Sequence, residues 1–186
     1  MSVVDRIYFD SSVLIKWLTG SGFKTQGRAQ AFIEGVCDGK YEGVVSLVTL
    51  MEVVKVLRVL YIEKGKYDPS FWNAKTDEAI DKINKLPKMK IVSGTVSETG
   101  KSYTRTTCDE MSFGQFTDES LKLLKKYPGN VKQNKAGTKY EHDGISVVDA
   151  LHIVIAKKYD CNKIVSFDGD FNTTASEIKP IVIESN

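Results

Sequence analysis

The sequence lacks any apolar run of the roughly 18–20 residues that a membrane-spanning helix requires. Its three cysteines, Cys37, Cys108 and Cys161, include no C-x-x-C pair, so neither a zinc knuckle nor a redox dithiol is expected. The first ten residues contain no signal-peptide apolar core. A charge excess is also missing, since a net charge of +2 argues neither for nor against a nucleic-acid partner. We therefore expect a cytoplasmic protein with reduced thiols and no membrane partner.

What is present suffices for one full-size core. The 186 residues are 41% hydrophobic and 27% charged, which is typical of a globular chain. Because we find neither internal repeats nor a domain boundary, we predict a single domain over residues 1–186. Two polar stretches, 93–114 and 130–144, are interpreted as insertions in it. The first is expected to be an extended hairpin or loop, and the second a loop.

Short apolar runs alternate with helical periodicities along the chain. The predicted strands are 7–9, 43–46, 89–92, 163–167 and 181–183. The predicted helices are 13–18, capped by Ser11 or Ser12, and 29–36, 49–62, 70–86, 121–127 and 146–159. The strands show no clean polar alternation, which fits a sheet covered on both faces. We predict an α/β fold, a three-layer α/β/α sandwich with a central, mainly parallel sheet.

Four acidic residues occupy equivalent positions in this pattern. Asp10 and Asp168 each close a predicted strand, whereas Glu52 and Asp149 each lie in the first turn of a predicted helix. In a parallel α/β sheet these positions share one edge, where ligands bind, so we expect the four carboxylates to meet in one cleft. Two such charges ~4 Å apart repel by about 4 kcal/mol at an effective dielectric constant near 20. A divalent cation would remove that repulsion, and an all-oxygen site suits Mg²⁺ or Mn²⁺.

Helix capping is the alternative explanation for each acid taken singly. The segments 49–52 and 146–149 fit the capping box, and Asp10 and Asp168 are common turn acids. The two helices are otherwise very apolar, so an acid on their narrow polar stripe is less expected to face bulk water. The four acids together therefore favour a metal site.

Four segments of the chain resemble the PIN-domain nucleases, including the VapC-type toxins of toxin–antitoxin pairs. These segments, in the family's order and approximate spacing, are 7–15, 49–52, 148–156 and 164–171. The resemblance implies a PIN-like fold. It also implies an endoribonuclease that hydrolyses RNA phosphodiester bonds with Mg²⁺ or Mn²⁺. As a mechanism we expect one or two ions on Asp10, Asp149 and Asp168 to position water for in-line attack. Glu52 would bind the second ion or orient that water.

The resemblance also implies particular residues and partners. The implied catalytic residues and metal ligands are Asp10, Glu52, Asp149 and Asp168. Asp170 is a possible additional acid, and Ser166 matches the Ser/Thr that the family usually has before its fourth acid. Members of the family often form homodimers, and the toxins are held inactive by an antitoxin protein. The stretches 93–114 and 130–144 exceed what a compact toxin carries. The alternatives are therefore an RNA-processing nuclease without an antitoxin, or a catalytically silent module that binds RNA or protein.

Other residues are weaker candidates. His152, one turn after Asp149, could join the metal site, although a packed or solvent-facing histidine is commoner, and the same holds for His142. A basic tract could contact RNA phosphates, or could be a solvated surface; it comprises Lys122, Lys125, Lys126, Lys132, Lys135 and Lys139. Aromatic residues could stack on unpaired bases or be buried anchors; they are Tyr103, Phe113 and Phe116. The apolar helix 50–62 could bind a protein partner.

Overall fold

The computed structural model describes residues 4–20, 23–65, 68–92, 113–129, 131–133, 140–142 and 144–183. The strands are β1 (Asp5–Phe9), β2 (Tyr41–Ser46), β3 (Met89–Val92), β4 (Val131–Gln133), β5 (Tyr140–His142), β6 (Lys163–Ser166) and β7 (Lys179–Val182). The helices are α1 (Ser11–Thr19), α2 (Phe23–Cys37), α3 (Leu47–Glu63), α4 (Pro69–Asn84), α5 (Phe113–Lys126) and α6 (Val147–Lys158), followed by a 3-10 turn (Gly169–Thr174). Within these ranges, no helix combines the length and the apolarity needed to cross a bilayer.

Five strands form one parallel sheet in the order β3-β2-β1-β6-β7. From β1 the chain moves outward to β2 and β3, and later returns to the other side of β1 to form β6 and β7. The strand order therefore reverses between β1 and β6. In open α/β sheets, the crevice beyond the carboxyl ends of two such strands is where ligands bind. Asp10 follows β1 directly and Ser166 ends β6, so both lie at this crevice.

The central strands bury alternate side chains on opposite faces of the sheet. Ile7 and Phe9 of β1 belong to a core that includes apolar residues of α1, α2, α3 and α4. Tyr8 belongs to a second core on the other face, which includes residues of α5 and α6. Both faces are therefore covered by helices, which explains why the strands show no polar alternation. The α/β fold with a parallel central sheet is confirmed.

Local structure differs from the sequence-based expectation in the second polar stretch. β4 and β5, which fall within 130–144, pair antiparallel in a separate two-stranded sheet where a loop was expected. Backbone pairing does not require an apolar pattern, so polar strands of this kind give no periodic signal. The first polar stretch, 93–114, lies outside the described residues except for the first two residues of α5.

Candidate metal centre

Asp10 connects the end of β1 to the start of α1. Its Oδ2 accepts hydrogen bonds from the Ser12 backbone N–H at 3.2 Å and the Ser12 hydroxyl at 2.5 Å. The Ser166 hydroxyl donates to the same oxygen at 2.8 Å. Asp10 is therefore the N-cap of α1, and the expectation that Ser11 or Ser12 caps this helix is wrong. With Oδ2 so occupied, the 6% exposed carboxylate has a fixed orientation.

Ser166 joins the two central strand ends. Besides donating to Asp10, its Oγ accepts the backbone N–H of Asp168 at 2.8 Å. A second hydrogen bond between these segments runs from the Phe167 backbone N–H to the Ser12 hydroxyl oxygen, at 3.0 Å. These bonds hold the segments that follow β1 and β6 against each other. Ser166 is thus placed to position two of the predicted ligands rather than to bind an ion itself.

Glu52 lies in the second turn of α3. The helix begins at Leu47, and its capping box consists of Ser46 and Thr49, each side chain accepting the other's backbone N–H. The capping box expected at 49–52 is therefore wrong. Ser46 is both the last residue of β2 and the N-cap of α3, so the helix begins without an intervening loop. Free of the cap, Glu52 has its Oε2 2.8 Å from Nε2 of His152.

His152 lies between Glu52 and Asp10 and is 1% exposed. Its Nε2 is also 3.7 Å from Asp10 Oδ1, and its Nδ1 is 2.7 Å from the hydroxyl of Tyr8. One ligand atom from each of Asp10, Glu52 and His152 lies within 4.8 Å of the other two. The histidine is packed, as the commoner alternative had it, but it is packed inside the acidic cluster. The spacing of His152 from Asp149 indicated that both lie on one face of a helix. It did not indicate the contacts of His152 with Tyr8 of β1 and Glu52 of α3.

Asp149 forms the capping box that the sequence predicted at the start of α6. Its Oδ2 accepts the Ser146 backbone N–H at 2.8 Å, and its own N–H donates to Ser146 Oγ at 3.1 Å. Burial raises the pKa of Asp149, the bonds to Ser146 lower it, and the charges of Asp168 and Asp10 raise it again. The pKa ends above the ordinary value. Burial is the largest cause of this raised pKa, and the charges of Asp168 and Asp10 add to it.

Asp168 is exposed and caps the 3-10 turn that follows β6. Its Oδ1 accepts the backbone N–H of Asp170 at 2.9 Å. Asp170 lies in the first turn of that element and is partly buried. Among the described residues, the Asp10–Glu52–His152 group includes neither of these residues nor Asp149. The charge of Asp168 contributes to the raised pKa of Asp149.

The electrostatics of the site fit a bound cation. Burial raises the pKa of Glu52, but the hydrogen bond and charge of His152, with smaller effects from Ser11 and Lys55, bring it below the ordinary value. Glu52 is therefore an anion at neutral pH, close to the buried Asp10 and to His152. Carboxylates and an imidazole gathered in this way are a donor set for a divalent ion.

The fold and the cleft together define a parallel α/β protein with an acidic site at its topological switch point. Solved structures share this architecture. VapC20 of Mycobacterium tuberculosis, a toxin that cleaves the sarcin–ricin loop, is 14% identical with a TM-score of 0.52, over 90% of this chain and 94% of its own. A chain of VapBC2 from Rickettsia felis, solved bound to a DNA fragment from their promoter, is 9% identical with a TM-score of 0.52, over 96% and 99% of the two chains.

The chain thus has a VapC-type PIN fold, as its motifs indicated. At 9–14% identity, the similarity establishes the fold and leaves the chemistry to the site itself. No protein-family model matches the sequence, and the curated proteins include no significant match.

The lysine tract is partly engaged in ion pairs. Lys122 pairs with Glu119 at 2.6 Å, and Lys126 pairs with Glu177 at 2.5 Å. Lys125 is exposed on the same helix. The remaining lysines of the tract have side chains outside the described residues; they are Lys132, Lys135 and Lys139. RNA contact by this tract stays a prediction.

Of the three aromatic candidates, Phe116 of α5 is 6% exposed and packs in the second core with residues of α6. It is therefore an anchor and does not offer its ring to an RNA base. Tyr103 lies outside the described residues, as do the side chains of Phe113 and His142.

Proposed function

We propose that this protein is a metal-dependent endoribonuclease that hydrolyses RNA phosphodiester bonds. The observation that carries the proposal is the approach of Asp10, Glu52 and His152 to within 4.8 Å of one another at the carboxyl edge of the sheet. Two carboxylates this close together at a largely buried site repel each other unless a proton or a cation lies between them. Mg²⁺ or Mn²⁺, held by Asp10, Glu52, Asp149 and Asp168, would activate water and stabilise the charge developing on a phosphate.

The chain's own contribution is to hold its carboxylates in place before substrate binds. Ser12 and Ser166 fix Asp10 through Oδ2, which directs Oδ1 toward His152. Ser146 fixes Asp149 in the same manner, again through Oδ2. Side chains restrained by their own hydrogen bonds need not reorient during the reaction, which is the usual basis of electrostatic catalysis.

The toxin interpretation adds a protein partner. Large apolar side chains are exposed along α3, namely Leu47, Met51, Val59 and Ile62, and Met51 is 72% exposed. A row of this kind is typical of a protein-binding surface. We propose that an antitoxin or a second copy of the chain covers it. The VapBC2 assembly, which has a chain of this fold, supports the antitoxin proposal.

Cleavage of a fluorescent RNA in Mn²⁺, with EDTA as the blank, tests the nuclease proposal. Asp10→Asn and Asp149→Asn should each abolish cleavage while the circular dichroism spectrum stays that of a folded protein. Asp160→Asn is a matched control, because Asp160 is 89% exposed and its φ of 55° is one that asparagine accepts. This variant should cleave like the wild type.

Two results would contradict the proposal. Retained cleavage in both Asp10→Asn and Asp149→Asn would place the chemistry elsewhere. Salt-sensitive RNA binding by the wild type without any turnover in Mn²⁺ or Mg²⁺ would support the catalytically silent module instead.

A further inference from the structure

His152 is the one nitrogen donor in the Asp10–Glu52–His152 group, and it has no part in the four-carboxylate site of the proposed function. We infer that His152 is itself a ligand of the ion, through Nε2, and that the site therefore selects a transition ion such as Mn²⁺ over Mg²⁺. The inference rests on the proposed function, because it concerns the ion that function requires.

The distances suit a shared ion. Nε2 of His152 lies 2.8 Å from Glu52 Oε2 and 3.7 Å from Asp10 Oδ1. Two ligand atoms that are each about 2.1 Å from one ion lie between about 3 and 4.2 Å apart. The ligand atoms of Asp10 and Glu52 lie within 4.8 Å of each other. Shifts of the side chains by up to about 1 Å would therefore bring all three atoms to the spacing of ligands on one ion. A histidine that merely filled the core would not need to direct its nitrogen between two carboxylates.

The other ring nitrogen is held as the nitrogen of a metal-binding histidine usually is. Nδ1 lies 2.7 Å from the hydroxyl of Tyr8, which is fully buried. The same hydroxyl is 2.7 Å from Ser46 Oγ and 3.0 Å from Thr49 Oγ1, both also buried. A partner of this kind fixes the orientation of the ring and the position of its proton. These four residues lie where β1, β2, α3 and α6 meet.

The hydroxyls of Tyr8, Ser46 and Thr49 satisfy Nδ1 in either tautomer of the ring. With the proton on Nε2, that N–H donates to Glu52, the Tyr8 hydroxyl donates to Nδ1, and the hydroxyls of Ser46 and Thr49 donate to Tyr8. With the proton on Nδ1, that N–H donates to the Tyr8 oxygen, and the Tyr8 hydroxyl turns to Ser46 or Thr49. The imidazole holds one proton in both cases, so the exchange leaves its charge unchanged.

The two tautomers differ in what Nε2 presents to Glu52. In the second one, a nitrogen lone pair faces a carboxylate, which is repulsive unless a cation lies between them. The hydroxyls of Ser46 and Thr49 can each donate or accept, so they allow the ring to make this change without leaving a buried atom unpaired. The residues around His152 therefore allow Nε2 to replace its hydrogen bond to Glu52 with a bond to an ion.

A nitrogen ligand alters which ion the site prefers. Mg²⁺ takes oxygen ligands and keeps much of its water, whereas imidazole binds transition ions more readily. With four carboxylates alone, Mg²⁺ and Mn²⁺ would compete on similar terms. With His152 added, Mn²⁺ should bind more tightly than Mg²⁺.

Pulsed electron paramagnetic resonance of the Mn²⁺-loaded protein tests the inference directly. A nitrogen bonded to Mn²⁺ modulates the electron spin echo, and labelling histidine with the heavy nitrogen isotope changes that modulation. The chain has two histidines, His142 and His152. We expect the histidine signal in the wild type and in His142→Gln, and its loss in His152→Gln.

Calorimetric titration with Mn²⁺ and with Mg²⁺ gives a second readout. His152→Gln should weaken Mn²⁺ binding by at least about tenfold and Mg²⁺ binding by less. Tyr8→Phe should keep the nitrogen signal but weaken Mn²⁺ binding by about tenfold, because Nδ1 loses its partner. A histidine that acted only through packing would change both affinities alike.

The outcomes separate the inference from the function on which it rests. RNA cleavage with a Mn²⁺ echo that shows no histidine nitrogen overturns the inference and leaves the nuclease intact. A signal that survives in His152→Gln and is lost in His142→Gln also overturns it. A wild-type protein that neither binds Mn²⁺ nor cleaves RNA overturns both. Since labelled wild type and His142→Gln suffice to identify the ligand, the test does not depend on the folding of His152→Gln.

Discussion

At the scale of single residues, capping and metal binding are compatible roles for one carboxylate. Asp10 caps α1, Asp149 belongs to the capping box of α6 and Asp168 caps the 3-10 turn after β6. Each does so through one oxygen atom: Oδ2, Oδ2 and Oδ1 respectively. The second oxygen of each carboxylate remains as a possible ligand. The capping hydrogen bond then restrains the carboxylate, as hydrogen bonds to metal-binding side chains usually do.

Removing the Ser166 hydroxyl should loosen this restraint. In Ser166→Ala, Asp10 Oδ2 loses a donor and the Asp168 N–H loses its acceptor, at a site that is 1% exposed. We expect a loss of about 1–3 kcal/mol in the free energy of unfolding and weaker Mn²⁺ binding. Urea denaturation and calorimetry measure the two effects. Ser166→Thr keeps the hydroxyl and serves as the control; equal losses in both variants would refute the hydrogen-bonding role.

The pKa of Asp149 gives a prediction about pH. Because the folded protein raises this pKa above 3.8, the folded state holds the proton more tightly than the unfolded chain does. Ionised Asp149 therefore destabilises the ion-free protein above its folded pKa, and this cost disappears below the unfolded value. Asn can still accept the Ser146 N–H. In EDTA, Asp149→Asn should thus be more stable than the wild type near pH 7, by urea denaturation.

The stability difference between these two proteins should shrink as the pH is lowered through the raised pKa of folded Asp149 toward the ordinary value of 3.8, because the wild-type carboxylate then takes up its proton. Added Mn²⁺ should reverse the order near pH 7, because the wild type gains a bound ion. A variant that is less stable than the wild type in EDTA at both pH values would contradict the destabilisation of ionised Asp149 by its burial and by the charges of Asp168 and Asp10.

The candidate site could be predicted from the sequence only in part. Strand ends and helix starts are local patterns, and they indicated the positions of Asp10, Asp149 and Asp168. The hydrogen bond between Tyr8 and His152 joins residues 144 positions apart, and no local pattern encodes it. In the sequence, Tyr8 has no feature that distinguishes it from other strand residues. Its hydroxyl finds its hydrogen-bond partners only when β1, α3 and α6 pack together.

At the scale of elements, α2 contains a natural comparison between two glycines. A Cβ added at Gly27 would meet no atom within 4 Å, whereas one at Gly35 would lie 2.6 Å from a ring carbon of Tyr41. That ring packs against Phe32, with 6.3 Å between centroids, so it cannot move without a cost. Gly27→Ala should stabilise the protein by about 0.5–1 kcal/mol, because alanine favours a helix.

Gly35→Ala carries the same gain in helix propensity and should nevertheless destabilise, because α2 would be pushed away from β2. Thermal and urea unfolding of the two variants give the comparison. Equal stabilisation by both would mean that the contact between α2 and Tyr41 is loose.

Most elements of the fold could be predicted because the helices that cover the two faces of the sheet have apolar residues at helical spacing, and the strands are short apolar runs. The start of α3 could not, since the capping pattern at 46–49 overlaps the one at 49–52, and only the tertiary contacts of Tyr8 with Ser46 and Thr49 favour the first. The β4–β5 pair was missed because its strands are three residues each and their sequences show no apolar period.

At the scale of the whole molecule, the acidic cleft should make stability depend on divalent ions. An ion that binds the folded protein alone adds about 2.7 kcal/mol at a concentration ~100 times its Kd. For a chain of this size, that is roughly 5–10 °C in Tm. Mn²⁺ should therefore raise the Tm measured in EDTA for the wild type and for Asp160→Asn, but not for Asp10→Asn. An equal rise in all three proteins would place the ion elsewhere.

The reversal of strand order between β1 and β6 has a consequence for biosynthesis. Asp10 meets Ser166 across 156 residues of chain, so the cleft cannot assemble until β6 has left the ribosome. A nascent chain that has formed β1, β2 and β3 still lacks α6 and β6. A nuclease of this design would be inactive while its first three strands are being synthesised.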